Sequence, residues 1–225
     1  MMQEQRADQV RSSRSRRVIL QATIQLYREI GHRKTTVADI ARRAAMSPAN
    51  VYRFFRSKRE IEEVVVAELL GEMFQAAGNA GRGDGSPVSR LGAVLRAIAE
   101  LNARRLANDK RLDELVATAK DANWPVALAF VDRVVGLLSP MIEAGQAGGE
   151  IREGSATTLA RCLCVAMNAY VWPREFSAAA LRPTFEQMMA FCGNALRVPL
   201  PRQAVHSITH VVGQSRSECG VGGPS

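Results

Sequence analysis

Residues 46–60 read MSPANVYRFFRSKRE, and this stretch contains two separate signals for the start of a helix. Ser47 has a side-chain oxygen that can cap a helix, and Pro48 suits the first helical position. Ser57 and Glu60 form the S-x-x-E pattern of a capping box, so another helix is predicted to start there. The helix between the two starts is only about two turns long. Because so short a helix buries little surface, we expect it to serve binding rather than the core.

The sequence before this stretch predicts two further helices. A first helix is expected over about residues 9–30, closed by Gly31, and its apolar stripe consists of Ile19, Ala22, Leu26, Tyr27 and Ile30. Thr36 and Asp39 predict the capped start of a short second helix, and residues 44–46 form the turn before the third. The residues expected to face inward are Val37, Ile40, Ala41 and Ala44 in the second helix, and Val51 with either Phe54 or Phe55 in the third.

The remainder of the chain also reads as helical, since only 5% of the residues are aromatic and long alternations of β-branched residues are missing from the sequence. The fourth helix is expected from Ser57 to about residue 77, and the Gly-rich stretch 78–87 is the clearest boundary. Further helices are predicted at about residues 88–107, 110–121, 125–147, 155–172 and 183–197. Residues 199–225, rich in Gly, Pro and Ser, are expected to be disordered.

The positive charge of the chain is concentrated at its N-terminal end. The whole chain has a net charge of +8, but residues 1–60 contain 14 Lys and Arg against 5 Asp and Glu. The other 165 residues contain 16 basic and 17 acidic residues and are close to neutral. A basic module joined to a neutral body predicts that a polyanion binds to the first part of the chain.

Membrane, disulfide and metal-binding classes are disfavoured by the sequence. No apolar run reaches the roughly 18–20 residues of a membrane span, and the arginine-rich N-terminus does not resemble a signal peptide. We therefore expect a cytoplasmic protein without a membrane partner. The cysteines show no C-x-x-C pairing and are interpreted as small apolar residues rather than redox or metal groups: Cys162, Cys164, Cys192 and Cys219. The three histidines have no metal-ligand spacing with cysteine, so neither a metal nor a cofactor is expected.

Two short helices joined by a three-residue turn and flanked by longer amphipathic helices form the pattern of a helix-turn-helix. Such a unit offers the N-terminal end of its second helix to the major groove of DNA. Asn50 and Arg53 can then bond base edges, and Tyr52 can reach a phosphate. Thr36 and Lys58, with the free amides at the starts of the second and fourth helices, can hold phosphates on either side. The alternative is that the basic residues here are only a solvated surface.

Residues 14–73 resemble the DNA-binding domain of the TetR family of transcriptional regulators. The resemblance is carried by ILQATIQLYREIGHRKTTVADIARRAAMSPANVYRFFRSKREI, with a glycine closing the first helix and the motifs T-T-V-x-x-I-A, S-x-x-x-[LV]-Y and F-x-S-K-x-x-[LI]. It implies that Thr36 and Lys58 contact phosphates and that the start of the third helix lies in or beside the groove. The candidate DNA-binding residues are Thr36, Ser47, Pro48, Ala49, Asn50, Tyr52, Arg53 and Lys58.

The chain departs from the family pattern at two positions. Ala45 stands in the turn where the family usually has glycine, and a backbone with positive φ there would cost about 1 kcal/mol. Phe54 stands where the family usually has a histidine before the phenylalanine, which removes one polar contact.

The resemblance also implies a C-terminal helical domain that dimerises and contains a small-molecule pocket. Two antiparallel helices with apolar stripes can form a four-helix bundle with their copies. The candidate interface residues are Leu159, Leu163, Ala166, Tyr170, Phe185, Met188, Met189, Cys192 and Leu196. The candidate pocket residues are Trp124, Phe130, Met141, Met167, Trp172 and Phe176. Both sets have an alternative interpretation as parts of the intramolecular core.

The sequence therefore predicts an all-α protein of about nine helices, with an N-terminal three-helix helix-turn-helix domain and a C-terminal helical bundle domain. The expected organisation is a flexible basic N-terminus at 1–13, a DNA-binding domain at 14–73 with its motif at about 36–55, a ligand-binding and dimerisation domain at 74–198, and a disordered tail at 199–225.

The expected function is that of a homodimeric transcriptional regulator. We expect it to act as a repressor that a largely apolar effector releases from a palindromic operator in double-stranded DNA. One alternative is a constitutive or architectural DNA-binding protein without an effector. Another is a helical enzyme, which is disfavoured because the sequence has no G-x-S-x-G, H-E-x-x-H or phosphate-loop motif.

Overall fold

Helices account for most of the chain in the computed structural model, which describes residues 1–172 and 183–198. Within those ranges there are nine α-helices: α1 (Met2–Ile30), α2 (Val37–Arg43), α3 (Pro48–Phe54), α4 (Lys58–Ala80), α5 (Pro87–Asn108), α6 (Lys110–Asp121), α7 (Pro125–Ala147), α8 (Ala156–Val171) and α9 (Phe185–Leu196). The prediction of an all-α fold is confirmed. The expected tail at 199–225 lies outside the described residues.

Most helices start where the local signals predicted. Ser47 and Ser57 cap α3 and α4 as predicted, and α6 and α7 have the expected bounds. Ser86, which was not predicted as a cap, caps α5. The start of α1 was predicted too late, because the helix begins at Met2 rather than about residue 9. Residues 2–15 contain no Gly or Pro and many good helix formers, which an apolar stripe does not reveal. The expected flexibility of residues 1–13 stays a prediction.

The N-terminal helices α1, α2 and α3 pack around a small interior that the first turns of α4 complete. The expected inward residues are buried or half-buried, apart from Ile30, which is 41% exposed at the end of α1. Phe55 rather than Phe54 is fully buried, because α3 ends at Phe54 and the extended backbone of Phe55 turns its ring inward. Arg16 of α1 stacks on that ring, with its guanidinium carbon 4.3 Å from the ring centre.

The larger interior lies between α4, α5, α7 and α8. The helix α4 packs against α5 and α7, and α7 also packs against α5 and α8. Completely buried side chains in this interior include Val65, Leu91, Leu95, Leu138, Ile142 and Met167. Because burying one such side chain stabilises a fold by roughly 1.5–3 kcal/mol, this interior holds the C-terminal helices in place.

One helix of the described residues, α7, is long and apolar enough to cross a membrane by length and composition. The buried helix of a helical core passes the same test. Phe130, Val134, Leu138 and Ile142 of α7 are buried against neighbouring helices. We therefore interpret α7 as a core helix.

Candidate nucleic-acid interface

The start of α2 is fixed by a complete capping box. The Thr36 hydroxyl accepts a hydrogen bond from the Asp39 amide at 3.1 Å, and the Asp39 carboxylate accepts from the Thr36 amide at 3.0 Å. The Thr36 hydroxyl also donates to the Asp39 carboxylate at 2.6 Å, and this bond, followed by the one from the Thr36 amide, holds the pKa of Asp39 below its usual range. The predicted cap is confirmed, and it occupies part of the hydrogen-bonding capacity of Thr36.

The turn between α2 and α3 contains a residue in the left-handed region, Ala45, at φ 53. The Met46 amide donates to the Ala41 carbonyl at 2.9 Å, and the Ala45 amide donates to the Arg42 carbonyl at 3.2 Å. This pair of bonds is the Schellman pattern, which requires positive φ at the position where glycine is usual. The positive φ that the sequence suggested at Ala45 is therefore present.

The helix α3 presents polar side chains on its outer face. Its cap is Ser47, whose hydroxyl accepts from the Asn50 amide at 3.2 Å. The exposed candidates on α3 and its cap are Ser47, Pro48, Ala49, Tyr52 and Arg53, and Asn50 is half-buried. Val51 faces inward and is completely buried, so α3 is anchored by one face and open on the other. This arrangement leaves its N-terminal end free to enter a groove.

The C-terminal end of α3 is held by a residue that the sequence analysis did not single out. Arg16 of α1 donates to the Phe54 carbonyl at 2.9 Å while its guanidinium stacks on the Phe55 ring. A cation at a helix C-terminus is favourable because the last carbonyls carry partial negative charge. Arg16 therefore fixes the orientation of α3 relative to α1.

The expected capping box at the start of α4 is only half formed. The Ser57 hydroxyl accepts from the Glu60 amide at 3.1 Å, as predicted. The Glu60 carboxylate accepts from the Arg56 amide at 2.7 Å, instead of from the amide of Ser57. The extended backbone of Ser57 places the preceding amide within reach of Glu60.

Lys58, predicted to contact a phosphate, has two partners within the protein. Its ammonium group donates to the His32 carbonyl at 2.5 Å and lies 3.6 Å from a carboxylate oxygen of Glu62. His32 Nδ1 lies 3.4 Å from the same carboxylate oxygen. Neither His32 nor Glu62 was predicted from the sequence to belong to this site, although the Lys58–Glu62 spacing of four residues is a recognised helical pair. His32 lies in the loop before α2, so only the fold brings it to this site.

Ionic and aromatic contacts join the helix-turn-helix unit to the C-terminal helices. Arg28 of α1 makes two hydrogen bonds to the Asp109 carboxylate, at 3.1 and 3.3 Å. Arg111 of α6 donates to the last carbonyls of α1, including that of Arg28 at 3.0 Å. The guanidinium of Arg59 lies over the ring of Trp124, which precedes α7. These contacts connect the end of α1 and the start of α4 to α6 and α7.

A cavity of about 480 Å³ lies between α5, α7 and α8. Two of the candidate pocket residues, Phe130 and Trp172, line it with their rings edge to face at 6.0 Å. Trp124 packs under Arg59, Met167 is completely buried, and Met141 lines a separate cavity near Gly81. Phe176 lies outside the described residues. The cavity wall that the sequence analysis missed includes Leu95, Ile98, Val134, Val135 and Cys164.

The candidate interface residues on α8 and α9 face mainly inward. Leu163, Met189, Cys192 and Leu196 are buried within the protomer. Leu159, Tyr170, Phe185 and Met188 are half-buried, and Ala166 is exposed. The large apolar residues that remain exposed on these helices are Val165 at 77% and Phe191 at 69%. A surface for a second copy would therefore use the opposite faces of α8 and α9.

The same fold and arrangement are found in known proteins. A family model described as "Bacterial regulatory proteins, tetR family" matches residues 19–64, and one described as "Tetracyclin repressor-like, C-terminal domain" matches residues 87–190. Both ranges lie inside the predicted domains at 14–73 and 74–198, whose bounds stay a prediction.

Among curated proteins, the HTH-type transcriptional regulator BetI of Escherichia coli O45:K1 (strain S88 / ExPEC) is 27% identical over 115 residues. That match covers 51% of this chain and 52% of BetI, so the chain spans about half the length of the curated relative.

Among solved structures, AibR in complex with isovaleryl coenzyme A and operator DNA has a TM-score of 0.52 and 19% identity, covering 83% of this chain and 100% of AibR. A TetR family transcription regulator from Marinobacter aquaeolei VT8 has a TM-score of 0.55 and 18% identity, covering 85% of this chain and 100% of that one.

The capped helices, the Schellman turn and the outward-facing α3 define a helix-turn-helix protein. Since both of its domains match family models, the chain belongs to the TetR family of DNA-binding transcriptional regulators.

Proposed function

We propose that the protein is a homodimeric cytoplasmic repressor that a small, largely apolar molecule releases from a palindromic operator. The observation that carries this proposal is α3, a two-turn helix anchored by the buried Val51 while Tyr52 and Arg53 point to solvent. A helix with this arrangement contributes little to the core. It is suited to base contacts in a major groove.

A dimer is proposed because a single reading helix contacts too few base pairs for useful specificity in a genome. Two copies related by a two-fold axis would read both halves of an inverted repeat. The exposed Val165 of α8 and Phe191 of α9 support an interface formed by these two helices.

The effector is proposed to bind in the cavity between α5, α7 and α8. Its volume of about 480 Å³ is within the range of ligand sites, roughly 300–1,000 Å³. Its aromatic and aliphatic wall suits an apolar molecule, and Arg161 and Asp132 form an ion pair near its edge at 3.7 Å. Only a ligand with different affinities for the two conformations can change DNA affinity.

The DNA-reading assignment is tested with a site selected from random duplex DNA by the purified protein. We expect the selected site to be an inverted repeat. Asn50→Ala and Arg53→Ala should each cost about 1–3 kcal/mol of binding free energy on that site and much less on random DNA. Arg104→Ala, an exposed arginine on α5, is the matched control and should leave both affinities unchanged. Equal losses on selected and random DNA would contradict base reading by α3.

The effector is tested by adding apolar small molecules to the complex with the selected site. Release of the DNA by one of them, lost when Phe130→Ala or Trp172→Ala is introduced, supports the proposed pocket. If a broad ligand panel never changes DNA affinity, the protein is better described as a constitutive DNA-binding protein.

A further inference from the structure

Lys58 is the first residue of α4, where the free backbone amides favour a bound anion. Its ammonium group has three N–H donors, and the structure directs this group toward the His32 carbonyl and the Glu62 carboxylate. A phosphate that approaches Lys58 therefore meets a cation that already has a carboxylate partner 3.6 Å away.

The Lys58–Glu62 pair is less exposed than an ordinary surface ion pair. The side chain of Lys58 is 29% exposed and that of Glu62 is 13% exposed. Solvent and salt screen a partly buried pair less than an exposed one. The negative charge of Glu62 therefore attracts the Lys58 ammonium group and repels any phosphate that lies beside it.

Glu62 is also held in place from outside its own helix. A carboxylate can only accept hydrogen bonds, so its contact with His32 at 3.4 Å is a donation from Nδ1. The pKa of nearby Tyr27 is raised, first by burial and then by the charge of Glu62. Glu62 is thus fixed between the loop before α2 and the Lys58 side chain, and a change of its rotamer would break the contact with His32.

We propose that Glu62 is a built-in restraint on DNA affinity, which holds Lys58 toward the His32 carbonyl and opposes its contact with a DNA phosphate. This inference rests on the proposed binding of DNA by the helix-turn-helix unit. Glu62 acts through Lys58 and is a positioning residue. Removing its charge leaves Lys58 with the neutral His32 carbonyl and makes the cation more available to the phosphate.

The neighbouring pair on α4 provides a matched control. Arg59 and Glu63 have the same four-residue spacing and lie 2.9 Å apart, but both side chains are more exposed and Arg59 stacks on Trp124. Glu63→Gln changes the net charge of the protein by the same amount as Glu62→Gln. A difference between the two variants therefore reports the local contacts of Glu62, with Lys58 and His32, rather than the change in net charge.

The test uses the full chain and a random-sequence DNA duplex, titrated at several salt concentrations. Glu62→Gln should tighten binding about two- to fivefold at low salt, the range expected for loss of one ion pair. A plot of the logarithm of the association constant against the logarithm of the salt concentration should become steeper, with its negative slope larger in magnitude by up to about 0.9. The reason is that one more counterion is released on binding. Glu63→Gln should change the affinity by less than Glu62→Gln and leave the slope unchanged.

The double variant Lys58→Ala/Glu62→Gln decides whether Glu62 acts through Lys58. We expect it to bind no better than Lys58→Ala alone, so that the gain from Glu62→Gln disappears. Glu62→Asp, which keeps the charge but shortens its reach, gives a second measurement if the glutamine variant folds poorly. It should tighten binding by a smaller factor.

Unchanged or weaker binding by folded Glu62→Gln overturns the inference, as does a gain that persists without Lys58. If Lys58→Ala weakens binding while Glu62→Gln resembles the wild-type protein, this inference fails and the proposed function stands. If the wild-type protein binds no duplex at low salt, the proposed function fails and the inference fails with it.

Discussion

Ala45 introduces backbone strain into the turn of the DNA-binding unit. It lies in the left-handed region at φ 53 and its side chain is exposed. A non-glycine residue pays roughly 1–2 kcal/mol in this region. The Schellman bonds of the turn impose this conformation, so the cost is borne in the folded state.

Replacing Ala45 with glycine is therefore expected to stabilise the protein. The relief of strain exceeds the extra entropy of glycine in the unfolded chain, so Ala45→Gly should raise the free energy of unfolding by about 0.5–1 kcal/mol. Ala38→Gly, an exposed position inside α2, is the matched control and should lower it by about 0.5–1 kcal/mol. Urea denaturation measures both changes, and a lower stability of Ala45→Gly would contradict the strain.

Single residues differ in how far the sequence predicts their role. The positive φ at Ala45 follows from a local motif, because the turn and its two helices are adjacent in the chain. The contacts of Lys58 could not be predicted completely, since His32 lies 26 positions away and reaches the Lys58 ammonium only through the packing of α1, α2 and α4. The contact of Arg16 with the Phe54 carbonyl could not be predicted for the same reason, since the two residues are 38 positions apart.

At the scale of helices, the caps determine where α2, α3 and α4 begin. The Asp39 carboxylate is the acidic half of the complete box on α2, and hydrogen bonds from Thr36 lower its pKa. A carboxyl group whose pKa is lower in the folded state stabilises the protein above its unfolded pKa. That contribution is lost as the pH falls through the folded pKa.

We therefore expect Asp39→Asn to be destabilising at neutral pH and nearly neutral in acid. The wild-type and variant stabilities should converge as the pH falls below the usual range of an aspartate. Asp84→Asn, in the turn between α4 and α5, changes an exposed carboxylate outside a helix cap and serves as the control. Thermal unfolding across a pH series gives the measurement, and a constant difference between wild type and Asp39→Asn at all pH values would argue against the capping role.

Helix starts were predictable because caps are local signals, whereas the partner of an apolar stripe is not. The stripes of α8 and α9 were correctly read as apolar, but a period of 3.6 residues does not state which neighbour covers the stripe. In the structure Leu163 and Cys192 are buried within the protomer, while Phe191 on the other face of α9 is exposed. The early start of α1 was missed because it has neither an apolar stripe nor a side-chain cap.

At the scale of the whole molecule, substitutions at exposed and at buried positions can distinguish the loss of the proposed dimer from the loss of the fold. Phe191→Glu and Val165→Glu place a charge on exposed faces of α9 and α8 and should give folded monomers with much weaker operator binding. Leu163→Glu is expected to unfold the protein instead, because Leu163 is buried within the protomer. Val10→Glu, an exposed position on α1, is the control and should remain dimeric.

Light scattering and circular dichroism on these variants, with operator titration alongside, give the measurement. Folded dimers of both Phe191→Glu and Val165→Glu would move the interface to another surface. A folded monomer with undiminished operator affinity would exclude a mechanism in which the two helix-turn-helix units of a dimer bind the operator together.

The contact between Arg28 and Asp109 gives ionic strength a second route to DNA affinity. Their side chains are partly exposed, so mobile ions screen this attraction, which falls off within a Debye length of about 10 Å at 0.1 M salt. In the proposed complex, salt would compete with Lys and Arg side chains for the DNA phosphates. It would also weaken the contact that fixes the orientation of α1, and with it the helix-turn-helix unit, relative to α6. We therefore expect the salt dependence of operator binding to include a mechanical contribution and to exceed the value calculated from phosphate contacts alone.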